Sequence, residues 1–121
     1  MERQDSNIRT KMRLLLCIIG MFAFVAAGMA QQENRLIRKG NNQFEDGNFK
    51  DAEINYLKSL EANESAYKGK FNLGSALYMQ DTYDQAAAAF DSVRDFNLDE
   101  KTLSKTYYNL GNSLFKMAMD T

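Results

Sequence analysis

The acidic side chains Asp81, Asp84, Asp91, Asp95 and Asp99 are the densest group of candidate cation ligands in the chain. Gathered on one loop, such carboxylates would offer hard oxygen donors to calcium or magnesium. Their spacing is instead helical, and no glycine-turned loop accompanies it, so they read as a solvated face and no metal site is expected. Ser104 and Lys105 are the nearest approach to an activated hydroxyl, but nothing around them marks more than the start of a helix. The chain has no His, which removes the commonest general base and metal ligand. Its one cysteine, Cys17, has no internal disulfide partner. Leu16 precedes it and Ile18 and Ile19 follow it, not the small and then polar residues that a lipid-acylated cysteine requires. The expectation is a non-enzymatic protein without a cofactor, whose function lies in a surface.

A surface is positioned by the elements beneath it. Of 121 residues, 45% are hydrophobic and 26% are charged, enough for one small domain with a modest core. Lys and Arg number 15 against 16 Asp and Glu, so there is no basic field to hold nucleic acid. Proline is absent, and with it the strongest helix breaker, which points to an all-helical class.

Arg9, Lys11 and Arg13 lead into an apolar run from Leu14 to Ala27 that closes on Gly28, Met29 and Ala30 before the polar Gln31, Gln32 and Glu33. That is the layout of a secretory signal, with cleavage expected after Ala30 and residues 1–30 removed. The apolar run spans 14 residues, or 17 if carried to Ala30, against the roughly 20 that a bilayer core requires. An inner-membrane anchor formed by residues 14–30 is the alternative. Translation starting at Met12 would give a signal of ordinary length. Loss of residues 1–30 takes Arg3, Arg9, Lys11, Arg13, Glu2 and Asp5 with it, leaving 11 basic and 14 acidic side chains in an exported, periplasmic portion.

Two segments of that portion align without gaps. Gly40, Asn41, Phe44, Phe49, Ala52 and Tyr56 correspond to Gly74, Ser75, Tyr78, Tyr83, Ala86 and Phe90, each pair 34 residues apart. A third copy opens at Tyr108, Asn109, Leu110, Gly111 and Asn112, 37 residues after Phe71, Asn72, Leu73, Gly74 and Ser75, so three extra residues sit around Asn97 to Lys101. Gly40, Ala52, Gly74, Ala86 and Gly111 are the expected packing positions, because helices approaching within about 8 Å need side chains removed at the contact. Phe44, Phe49 and Tyr56 then converge on one apolar seam. Gly47 supplies a left-handed residue to end the first helix, and Asp81 has to adopt the same conformation less easily. Helices are predicted at about Glu33 to Asp46, Phe49 to Ala62, Ser65 to Met79, Tyr83 to Phe96 and Thr102 to Met119, with Asn63, Glu64 and Ser65 as a capping junction.

On these matched positions the chain from about Glu33 onward resembles the tetratricopeptide repeat family. The usual closing Pro is replaced by Glu64 and Leu98, and the turn glycine by Asp81 in the second unit. The resemblance implies an all-α domain over residues 31–121: antiparallel helix-turn-helix repeats at about 33–66, 67–100 and a partial 104–121, wound into a right-handed superhelix. In that family the first helix of each unit lines a concave groove. Its groove positions fall here on Arg38, Asn41, Lys68, Asn72, Ser75, Lys105, Asn109 and Asn112.

Such a ladder of amide and ammonium groups suits an extended protein or peptide segment, with Phe71, Tyr78 and Tyr108 adding apolar contact. The competing reading is that the Asn side chains bond between neighbouring helices. Ile37 stands where carboxylate-gripping members carry Lys, so a full carboxylate clamp is not implied. The export signal joined to repeats of this style also resembles the tetratricopeptide proteins of the Bacteroides aerotolerance operon. That resemblance implies a periplasmic scaffold working with a membrane-bound envelope complex. The alternative function is a structural subunit that assembles through its repeat edges. The third unit ends at Asp120 and Thr121 with Leu114 and Phe115 uncovered, so either further chain follows, the last helix is itself the cap, or a partner or second copy covers it.

Overall fold

The computed structural model describes residues 1–63 and 66–121. Glu64 and Ser65, and with them most of the predicted capping junction, lie outside the described residues. The described residues form five helices: α1 (Glu2–Glu45), α2 (Phe49–Ala62), α3 (Tyr67–Tyr78), α4 (Tyr83–Val93) and α5 (Glu100–Met119). Each packs on the next in chain order, while α1 also touches α3 and α3 touches α5.

The first helix is the main departure from expectation. It does not begin at Glu33; it runs unbroken from the charged N-terminus through the apolar segment and the predicted cleavage position into the packed domain. Nothing in the sequence stops it, since Pro is absent and Gly20 and Gly28 are tolerated within a helix at a cost of about 1 kcal/mol each. Residues 1–32 are exposed throughout, Phe22 and Phe24 included. Among the described residues α1 is the one helix long and apolar enough to cross a membrane, a property shared by signal sequences near an N-terminus.

From Ile37 onward α1 enters the core. Gly40 lies flat against the ring of Tyr56 on α2, so close that a Cβ there would meet the ring at 2.6 Å. Four residues on, Phe44 meets Phe49 edge to face at 5.1 Å. The same two contacts recur 34 residues later: a Cβ on Gly74 would meet the Phe90 ring at 2.9 Å, and Tyr78 stands 5.2 Å from Tyr83 between ring centres. Each pairing runs the two helices antiparallel. Tyr56 and Phe90 are almost wholly buried, and Ala52 and Ala86 are sealed beneath them. Burying one such ring is worth about 1.5–3 kcal/mol, which makes these four residues the centre of two linked core clusters. A Cβ on Gly111, the third glycine among the expected packing positions, would meet nothing within 4 Å.

The turns repeat as well. Gly47 N–H bonds to Phe44 O and Asn48 N–H to Gln43 O, and the corresponding pair is Asp81 to Tyr78 and Thr82 to Leu77. Both are the paired bonds that close a helix around one left-handed residue, Gly47 at φ 78° and Asp81 at φ 60°. Asp81 also accepts a hydrogen bond from Tyr83 Oη at 2.6 Å, and this bond is the main reason that the phenol is raised to about 12.

Other boundaries differ by a few residues. α4 stops at Val93 rather than Phe96, where tighter three-residue bonds (Arg94 to Asp91, Phe96 to Val93) replace the helical ladder. α5 begins at Glu100 rather than Thr102 because Asp99 is its N-cap: Oδ1 accepts from Thr102 N–H at 3.0 Å and Oδ2 from Thr102 Oγ1 at 2.6 Å. These bonds hold the Asp99 carboxyl below its ordinary range. A close approach that sequence reasoning missed joins α2 to α3, where Gly69 lies 2.9 Å from Ser59 Oγ by the same Cβ measure.

Candidate functional site

A hollow of about 850 Å³ opens between α1, α3 and α5. α1 contributes Gln31, Asn34, Ile37, Arg38 and Asn41; α3 contributes Tyr67, Lys68, Phe71 and Asn72; α5 contributes Thr102 and Lys105. Five of the eight expected groove residues therefore share one site: Arg38, Asn41, Lys68, Asn72 and Lys105. The other three, Ser75, Asn109 and Asn112, line a separate hollow of about 200 Å³ with Phe44, Tyr78, Met79 and Phe90. A third depression, lined by Asn41, Asn72 and Ser75 together with Phe44, Glu45 and Tyr56, lies between them.

Charge is the distinguishing property of the large hollow. Arg38, Lys68 and Lys105 come from three different helices, and among the described residues no carboxylate lines it. Among the described residues none of the three cations is in an ion pair; the pairs present are Lys50 with Glu53 and Arg94 with Asp91. Three unneutralised cations around one cleft focus a positive potential, although the chain as a whole carries a formal charge of −1.

The amides of the site divide their work. Asn41 Oδ1 accepts from Tyr56 Oη at 2.8 Å and from Asn72 Nδ2 at 3.0 Å, tying α1 to both α2 and α3. For Asn41 and Asn72, bonding between helices, the competing reading of the sequence, is what the structure shows. The bond also satisfies the one polar atom of a buried ring. Burial, followed by the nearby Glu45 charge, pushes the Tyr56 phenol up to about 12. In the next unit Phe90 has no hydroxyl to satisfy, and Ser75, which replaces the Asn, turns to its own helix at Phe71 O, 3.2 Å away. The Asn-to-Ser difference thus accompanies the Tyr-to-Phe difference: where the buried ring loses its hydroxyl, the amide that accepted from it is absent as well.

In comparisons with known proteins, no family model and no curated sequence matches this chain.

The apolar side chains expected in the groove are distributed unevenly. Phe71 lines the cationic hollow but spends one face on Phe90, at 5.4 Å between ring centres. Tyr78 lines the smaller hollow, and Tyr108 projects from α5 beside Ser104, Lys105 and Asn109. Tyr67, which no spacing had marked, forms part of the cationic wall and leans on Phe96, above which Lys70 Nζ sits at 5.3 Å. Three of the five acids considered as a cation site are used singly: Asp81 on Tyr83, Asp91 on Arg94 and Asp99 on Thr102. Among the described residues no group of three or more acidic, Cys or His side chains comes together as metal ligands do.

Proposed function

We propose that this chain is a non-enzymatic adaptor of the cell envelope that holds an extended acidic segment of another protein in the hollow between α1, α3 and α5. The observation that carries the reading is the set of three cations, Arg38, Lys68 and Lys105, converging with no carboxylate among the described lining residues. Charge-assisted hydrogen bonds to a peptide's carboxylates are about twice as strong as neutral ones, and the flanking Gln31, Asn34 and Thr102 offer groups for its backbone. Ile37, Tyr67 and Phe71 form the apolar part of the wall, suited to a side chain between the acids.

The repeat spacing supports membership of the tetratricopeptide family, with the hollow as part of the concave face. The apolar N-terminal part of α1 supports export, with residues 1–30 removed as a signal or kept as a membrane anchor. On the narrower resemblance, the partner belongs to an envelope complex of the aerotolerance kind.

The test is charge reversal. Lys68→Glu together with Lys105→Glu should abolish capture of the partner from envelope extracts, with helical content unchanged by circular dichroism. Capture that is undiminished at moderate salt would defeat the reading. Binding by the unaltered chain should also fall steeply as salt is raised, since the Debye length shrinks from about 10 Å at 0.1 M to about 3 Å at 1 M.

A further inference from the structure

The three hollows on this side of the molecule form one track. The cationic hollow and the middle depression share Asn41 and Asn72, and the middle depression and the smaller hollow share Phe44 and Ser75. Each of α1, α3 and α5 lines both ends of the track two helical turns apart. The pairs are Ile37 and Phe44, Phe71 and Tyr78, and Lys105 and Asn112, every pair separated by seven residues. At a rise of about 1.5 Å per residue the two ends lie about 10 Å apart, which an extended chain rising about 3.3 Å per residue covers in about three residues.

The chemistry changes along that track. The first end holds Arg38, Lys68 and Lys105. The middle holds Glu45 and, among the described residues, no cation. The far end, about 200 Å³, has the size of one large side chain; among the described residues nothing charged lines it, and Tyr78, Met79 and Phe90 form its apolar wall. Its amides are also unspent. Asn41 accepts from both Tyr56 and Asn72, whereas the Asn109 and Asn112 side chains bond to nothing among the described residues.

The geometry points to a two-part selectivity for the segment held in the track: a pair of acids at the cationic end and, three residues away along the extended segment, one large apolar side chain seated in the far hollow. Glu45 repels an acid placed between the two. Tyr78, Met79 and Phe90 receive the apolar side chain while the Asn109 and Asn112 amides take up hydrogen bonds of the segment's backbone. This selectivity rests on the peptide reading above and adds to it the order and spacing of the ligand's side chains. Charge complementarity fixes which end takes the acids, since cations line one end and a carboxylate the middle.

The probes are fluorescent peptides with a Glu pair and one Phe in a Gly and Ser background. The Phe stands one, three or six positions from the pair, on either side of it, and a peptide with the pair alone is the control. They are titrated by anisotropy against the full chain in detergent micelles. In at least one chain direction, Phe at three positions should tighten binding about tenfold over the pair alone, as burial of such a side chain allows, and Phe at one or six positions should add little. Asn112→Phe fills the far hollow and should cancel that gain while the pair-only peptide binds as before, which shows that the variant is folded. A third Glu next to the Phe, on the side of the pair, should weaken binding about fivefold, the scale of repulsion between close like charges in water, and much less so in Glu45→Gln. A Phe that adds nothing at any spacing, or a gain that survives Asn112→Phe, overturns the selectivity; the peptide reading survives that result if Lys68→Glu with Lys105→Glu still abolishes binding of the pair alone. A third Glu tolerated equally with and without Glu45→Gln overturns the part assigned to Glu45. Pair-only binding that is absent, or indifferent to the two lysine reversals, sinks the peptide reading and this selectivity with it.

Discussion

Gly74 and Gly111 have nearly the same sequence around them, Asn-Leu-Gly-Ser in one case and Asn-Leu-Gly-Asn in the other, and opposite physical situations. The ring of Phe90 lies against Gly74, whereas Gly111 faces open space. A missing side chain is thus a packing device only where a second helix uses the room; elsewhere it is a helix position that costs about 0.5–1 kcal/mol relative to alanine.

The contrast is broken most forcefully from the ring side. Phe90→Ala should cost about 3–5 kcal/mol in urea unfolding, because the ring is buried over Gly74 and α4 cannot collapse onto the space left behind. A loss below about 1 kcal/mol would mean that the glycine and ring contact does not hold α3 to α4. Next in size is the glycine itself. Gly40→Ala drives a Cβ into the Tyr56 ring and should destabilise by about 1–3 kcal/mol, whereas Gly111→Ala should stabilise by about 0.5–1 kcal/mol, both read from thermal midpoints. Equal effects of the two substitutions would erase the distinction between covered and open positions.

The smallest effect lies in the turns, where two residues share one backbone shape. Asp81→Gly should raise stability by about 0.5–1 kcal/mol and Gly47→Ala should lower it by a similar amount, since only glycine takes a positive φ without a steric penalty. The same Asp81 change should let the Tyr83 phenol, now raised to about 12, titrate nearer its ordinary value of 10.0, a shift visible in its ultraviolet absorbance.

Much of this was legible along the chain. The 34-residue spacing identified Gly40 with Gly74 and Phe44 with Tyr78, and α2 has the predicted bounds, Phe49–Ala62. Gly47 at a left-handed turn followed from residue type, because glycine's freedom is a property of the residue alone. The site was read in part. The family resemblance marked Arg38, Lys68 and Lys105, but the eight groove positions divide between two hollows, and Asn41 and Asn72 are spent on holding helices together. Tyr67 and Gly69 went unnoticed because each works against a residue from another helix, Phe96 and Ser59, with no spacing rule to join them. Gly111 is bare for the converse reason: its pattern predicts a neighbour that only coordinates can supply or withhold.

By itself the sequence determined that the chain is helical, where its helices turn, and which small and aromatic residues recur at a fixed interval. Those properties rest on backbone freedom and on the angular period of a helix, both set within a few residues. Only the tertiary structure decided that α1 runs unbroken from its exposed apolar end into the domain, that three cations from three helices share one hollow, and that one of three matched glycines is bare. The last two depend on distances between residues far apart in the chain, which are fixed by how separate helices pack and by no local preference.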